Sequence, residues 1–111
     1  MSVSKQKDRE IIKKTENGIA RFDKVINDKN AKNVRMYSKV ILDVGAEVKY
    51  HTHTGESESF YILKGIAEYS DDGEITTLHA GDYTNTTSGH GHSIKNIGYD
   101  ALEFMALIIM D

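Results

Sequence analysis

The sequence predicts an all-β domain, a sandwich or barrel of short strands, on three observations. Turn signals recur at short intervals from Gly18 onward, residues 34–42 alternate in polarity with a period of two, and no segment carries a strong helical period. Proline is absent, so the turns rest on Gly, Asn and Asp.

Residues 1–10 are charged and non-periodic and read as a mobile arm, with room for one short turn of helix over residues 8–14. The polar segment 1–17 is read as an N-terminal arm and residues 18–111 as one barrel domain. Residues 19–26 form the first expected strand, followed by a polar linker over 27–33. In the next strand Val34, Met36, Ser38, Val40 and Leu42 share one face and Arg35, Tyr37, Lys39 and Ile41 the other. Gly45 precedes a strand over 48–53, and strands over 60–63 and 66–69 flank a bend at Gly65. Asp71-Asp72-Gly73 is a hairpin signal that returns the chain through 75–78. Strands over 83–86, 93–97 and 102–109 complete the set.

A chain of 111 residues suits a single core. Fourteen basic and 17 acidic side chains give a net charge of −3 with no basic stripe, so nucleic acid is not an expected partner. The absence of cysteine excludes thiolate nucleophiles, disulfides and cysteine-ligated metals, and suits a reducing compartment. The first ten residues lack the apolar stretch of a signal peptide, and the longest apolar run, 106–110, is too short to span a bilayer. A cytoplasmic protein with no membrane partner is expected.

Two motifs carry the chemistry. Gly45, His51, His53, Glu58 and Gly65 read G-x5-H-x-H-x4-E-x6-G; Gly81, Thr87, Gly89, His92 and Asn96 read G-x5-T-x-G-x2-H-x3-N. Two residues apart on a strand, His51 and His53 present both rings to one side. Inward-facing imidazoles are costly unless each nitrogen finds a partner, and a metal is an efficient one. Glu58 follows the turn at Gly55 and can swing back beside the two rings, while His92 must arrive from an adjacent strand. Three imidazoles and one carboxylate suit one divalent ion per chain, Mn, Fe, Co, Ni, Cu or Zn, with coordination positions left open as a catalytic site requires.

Over these motifs the chain resembles the cupin superfamily, and the 15 residues between Gly65 and Gly81 match the short spacing of its small single-domain members. The resemblance implies a double-stranded β-helix, or jelly roll, of two antiparallel sheets. It carries the family's metal-ligand roles onto His51, His53, Glu58 and His92. Thr87 stands where the family usually has proline, a departure that touches no ligand. Glu58, and not Glu56, has the ligand spacing to Gly65.

His90 and Glu56 are the candidates for an acid–base role, alongside a phenol from Tyr37, Tyr61 or Tyr83. Phe60 and Ile62 share the face of Glu58 and are expected inside, His79 on the surface, and Asn96 on backbone partners. Cupins include dioxygenases, decarboxylases, isomerases and non-enzymatic binders. The expectation is a metal-dependent enzyme of one of these types acting on a small oxygenated molecule chelated at the metal. The alternative is a non-catalytic module binding a sugar or organic acid. A homodimer is expected, with residues 19–26 pairing with or covering the second subunit.

Overall fold

The structure, a computed structural model, describes residues 3–27 and 31–111. Residues 1–2 of the expected arm and 28–30 of the expected linker lie outside the described residues. Ten strands are described: β1 (Ile11–Lys14), β2 (Ala20–Asn27), β3 (Val34–Leu42), β4 (Glu47–Thr52), β5 (Glu56–Lys64), β6 (Ala67–Asp71), β7 (Glu74–Leu78), β8 (Tyr83–Thr86), β9 (Gly91–Asn96) and β10 (Leu102–Met110). They form a six-stranded sheet in the order β1-β2-β3-β10-β5-β8 and a four-stranded sheet in the order β4-β9-β6-β7, with antiparallel pairing throughout. This is the expected jelly roll. No described helix is long and apolar enough to cross a membrane.

Alternation sets what fills the space between the sheets. β10 buries Leu102, Phe104, Ala106 and Ile108, and β5 buries Glu58, Phe60 and Ile62 on the same inner face. Phe60 is the hinge of the aromatic packing, 4.7 Å from Phe104 and 6.1 Å from Tyr69 between ring centroids. Asn96 is buried and, as expected, serves backbone: its amide donates to the Leu42 and Asp100 carbonyls, and its oxygen accepts from the Gly98 N–H. Asp72 and Gly73, with φ of 51° and 90°, make the two-residue β6–β7 turn that the Asp-Gly signal predicts. At Gly65 the backbone is left-handed, φ 98°, and a Cβ would meet the Leu102 Cα at 3.0 Å, so both conformation and space demand glycine.

Two local expectations give way to non-local pairing. The turn of helix expected over 8–14 is a single 3-10 turn over Gln6–Asp8, and Ile11–Lys14 is a strand paired with β2 from Ile11↔Asp23 to Lys14↔Ala20. Arg9 grips the buried Asp23 with two hydrogen bonds of 2.7 and 3.0 Å, which fastens this segment to the sheet. β1 therefore occupies the outer edge of the sheet. β2, expected to offer itself to a second subunit, has both edges already bonded, to β1 and β3.

Candidate metal centre

Each ligand candidate is positioned by its strand. β4 and β9 are neighbours with His51 opposite His92, and the β4–β9 register slips between Val48 and His51, so that Lys49 and Tyr50 together face Ser93. Such a bulge re-aims a side chain, and here it brings the Lys49 carbonyl to the His51 ring. His53 follows the end of β4. Glu58 rises from β5 in the opposite sheet, with Phe60 two residues on stacked against the His92 ring at 4.9 Å and 14°.

The outer nitrogen of every ring is taken. His51 Nδ1–H donates to the Lys49 carbonyl at 2.8 Å, and His53 Nδ1–H donates to Glu56 Oε2 at 2.7 Å. His92 Nδ1 lies 2.8 Å from the Tyr69 hydroxyl and 2.9 Å from Thr86 Oγ1, both able to accept its proton. The Lys49 and Glu56 oxygens fix a proton on Nδ1 of His51 and His53, so each of these rings when neutral presents a bare Nε2. His92 can do the same because either hydroxyl can accept its Nδ1 proton. Burial pushes the Tyr69 phenol up, which keeps it a neutral hydroxyl.

The three Nε2 atoms are 3.1 Å from one another. Glu58 Oε1 is 2.9 Å from those of His53 and His92 and 3.5 Å from that of His51. Four lone-pair donors in so small a cage repel unless a cation or shared protons lie among them. A point equidistant from the four is about 2 Å from each, the length of a metal–imidazole or metal–carboxylate bond. The donor set therefore fits one first-row divalent ion, and these residues are the group among the described residues that could hold one. Burial works to raise the Glu58 carboxyl, but hydrogen bonds from His51 and His92 and the nearby His92 and His53 charges outweigh it and bring it down to about 2. His51 is raised, chiefly by its hydrogen bond to Glu58 and against its partial burial.

The cluster opens on a cavity of about 70 Å3, where His51 and Glu58 meet Phe22, Met36, Phe104 and Ala106. Larger hollows of about 280 and 310 Å3 lie elsewhere, the first between β2 and β4 and the second on the outer face of the six-stranded sheet, and neither includes a ligand candidate. Tyr37, Tyr61 and Tyr83 line that outer hollow, so none of the three phenols expected near the pocket reaches it. The buried phenol at the centre is Tyr69, which the sequence reading passed over; its place two residues after Ala67 on the inner face of β6 is the signal that could have found it.

The two acid–base candidates are both engaged. Glu56 accepts two hydrogen bonds from Arg35, at 2.8 and 2.9 Å, besides that from His53. The Arg35 bonds, and after them the His53 bond, hold its carboxyl below the usual range against the opposing effect of burial. Glu56 thus stands behind a ligand and orients it. His90 pairs through Nδ1 with Asp72 at 2.5 Å, with more than half its side chain exposed. His79 is on the surface.

A Glu56→Gln variant keeps the shape but replaces one of the two acceptor oxygens by an NH2 group and removes the charge, so it cannot serve Arg35 and His53 as the carboxylate does. Its metal affinity should fall about tenfold, the lower end of the effect of losing an outer-shell partner, while stability changes by less than about 1 kcal/mol because the Arg35 pair is half exposed. Competition titration against a chelating dye, beside a thermal melt, checks both; an unchanged affinity would refute the orienting role.

Comparison with known proteins matches this fold. A family model described as a cupin domain fits residues 38–109. The chain is 42% identical over 76 residues to the oxalate-binding protein of Thermotoga maritima, covering 68% of this chain. It spans 63% of the length of that curated relative. The crystal structure of a predicted oxalate decarboxylase from Thermotoga maritima superposes with a TM-score of 0.92 at 30% identity, covering 98% of this chain and 99% of that one. The cupin domain of Schizosaccharomyces pombe Cnp3 (TM-score 0.80, 18% identity, 98% and 74% coverage) shares the fold. So does KdgF from Halomonas sp. (TM-score 0.78, 20% identity, 96% and 92% coverage).

Proposed function

The chain belongs to the cupin family, and on that premise we propose that it is a metalloprotein that binds a small carboxylic acid of the oxalate type at a centre made by His51, His53, Glu58 and His92. The observation that carries this reading is the convergence of three Nε2 atoms and one carboxylate oxygen, all within 3.5 Å of one another. The oxalate-binding relative supports the ligand class.

A bound divalent ion supplies Lewis acidity, polarising the oxygens of a chelated ligand. The protein supplies the rest. Lys49, Glu56, Tyr69 and Thr86 hold the three imidazoles in the ligating tautomer, and Phe22, Met36 and Phe104 wall the cavity with apolar surface that limits water. Glu56 and His90, the two acid–base candidates, are each held by other partners, Glu56 by Arg35 and His53 and His90 by Asp72, so the binding role is the reading taken first. Decarboxylation is the second reading, supported by the structural relative that shares 30% identity over nearly the whole chain.

Elemental analysis of untagged protein is expected to give about one first-row divalent ion per chain, and calorimetry a saturable oxalate isotherm. Protein that stays metal-free after reconstitution sinks the reading. Formate and carbon dioxide released from oxalate would establish the decarboxylase; their absence leaves the binder. We further propose a homodimer, packed through the outer face where Tyr61, Leu63 and Tyr83 are exposed. Light scattering on the same preparation should return twice the 12.4 kDa chain mass.

A further inference from the structure

β3 turns Met36, Ser38, Val40 and Leu42 towards the interior, and one of the four is out of place chemically. Ser38 is completely buried, and its Oγ has no hydrogen-bond partner among the described residues. A hydroxyl taken out of water with nothing to bond is a net cost to the fold. Thr84, the other such hydroxyl, sits beside the Tyr69 phenol. Ser38 lies opposite Lys24 on β2 and Ala106 on β10, and its Oγ bonds to neither.

Its surroundings point to a ligand. Met36 and Val40, on either side of it along β3, both line the metal cavity, and so does its cross-strand partner Ala106. Ser38 is fully buried and stands between these lining residues rather than among them. The next cross-strand row, Met36 with Ile108 and Glu58, carries the metal-ligand carboxylate. Among the described residues no lysine or arginine lines the cavity. A carboxylate entering it therefore finds few groups to hold an oxygen, and the unpartnered Ser38 hydroxyl lies on the strand that supplies Met36 and Val40 to the wall.

We propose that the Ser38 hydroxyl is a ligand-recognition group of the cavity, donating a hydrogen bond to an oxygen of the acid bound at the centre; this rests on the metal-centre reading above. The cavity volume, about 70 Å3, narrows the class. It is roughly half that of a 150 Å3 hole that admits benzene, so the ligand has two or three carbons, with an acceptor oxygen to spare for Ser38.

The test compares wild type with Ser38→Ala and the near-isosteric Ser38→Cys, whose thiol is a weak donor. Manganese is titrated first, then oxalate into the manganese-loaded proteins by calorimetry, and each metal-free protein is melted. Equal manganese affinities are expected, with metal-free midpoints unchanged or raised in the alanine variant, because an unpaired hydroxyl has been removed. Oxalate affinity should weaken about tenfold in the alanine variant and less in the cysteine variant, as for one hydrogen bond to a charged acceptor. Equal oxalate affinities in all three proteins, or a metal-free alanine variant melting clearly below wild type, overturn this inference alone. Wild-type protein that takes up no manganese overturns the metal reading, and this inference with it.

Discussion

Replacing His92 by alanine lowers divalent-metal affinity by more than about hundredfold, beyond the 10–100-fold typical of losing an outer-shell partner. It also destabilises the metal-free protein by about 3 kcal/mol, the scale of removing a buried ring. Both effects follow from one position. His92 is fully buried, is stacked on Phe60, and touches Glu58, His51, His53, Tyr69 and Thr86. Its removal deletes a ligand, opens a hole beneath Phe60 and takes a hydrogen-bond partner from an ionised buried carboxylate. His51→Ala makes the contrast. That side chain is 36% exposed, so its loss should impair the metal site as severely while costing less than about 1 kcal/mol. Calorimetric metal titration and denaturant melts of the two metal-free variants separate the effects. A His92→Ala protein that binds metal like wild type would remove His92 from the ligand set.

Metal-induced stabilisation should grow with pH, and the sign comes from two opposed shifts. Glu58 is depressed to about 2 in the folded chain. It therefore contributes stability that is present above the unfolded carboxylate value, about 4.3, and is lost as pH falls towards 2. His51 is raised, so its contribution is complete below the unfolded value of about 6.5 and is lost as pH rises through the higher folded value. The metal-free protein is thus most stable between about pH 4.5 and 6.5, where a proton shared among the rings and Glu58 offsets their repulsion. Above that window the cage is neutral imidazole and carboxylate, which is the form that binds metal. At a free metal concentration a thousandfold above Kd the gain is about 4 kcal/mol, or about 15–30 °C in Tm for a domain of this size. Melts with and without manganese from pH 5.5 to 8 should show the gap widening throughout; a gap independent of pH would show that imidazole protonation does not compete with the metal.

Three of the four converging side chains were legible because their spacing is local: two-residue periodicity faces His51 and His53 the same way, and one turn brings Glu58 back, whereas His92, 34 residues further on, was placed by the second motif and the cupin resemblance. The supports behind them were not. Arg35 reaches Glu56 from a strand 21 residues earlier, and the Lys49 carbonyl is aimed by a bulge that no residue type announces. The tyrosines show a different failure. Placing Phe60 and Ile62 inside already puts Tyr61 outside, and Met36 inside does the same for Tyr37, so parity applied strictly excludes both. Tyr69 obeys the same parity in the other direction. β1 was invisible because all four of its residues are exposed, leaving no burial period to read; its place depends on a sheet partner and on the distant Asp23.

Glu58 stands on one sheet while His51 and His92 stand on the other, and this has a kinetic consequence. Neither sheet alone owns a complete cage, so the high-affinity site exists only after the two layers have closed on each other. An ion captured there acts as a rivet fitted last: it contributes little to the folding transition state and must be given up before the layers separate. Its effect should fall mainly on the unfolding rate, lengthening the lifetime of the folded chain far more than it hastens its formation.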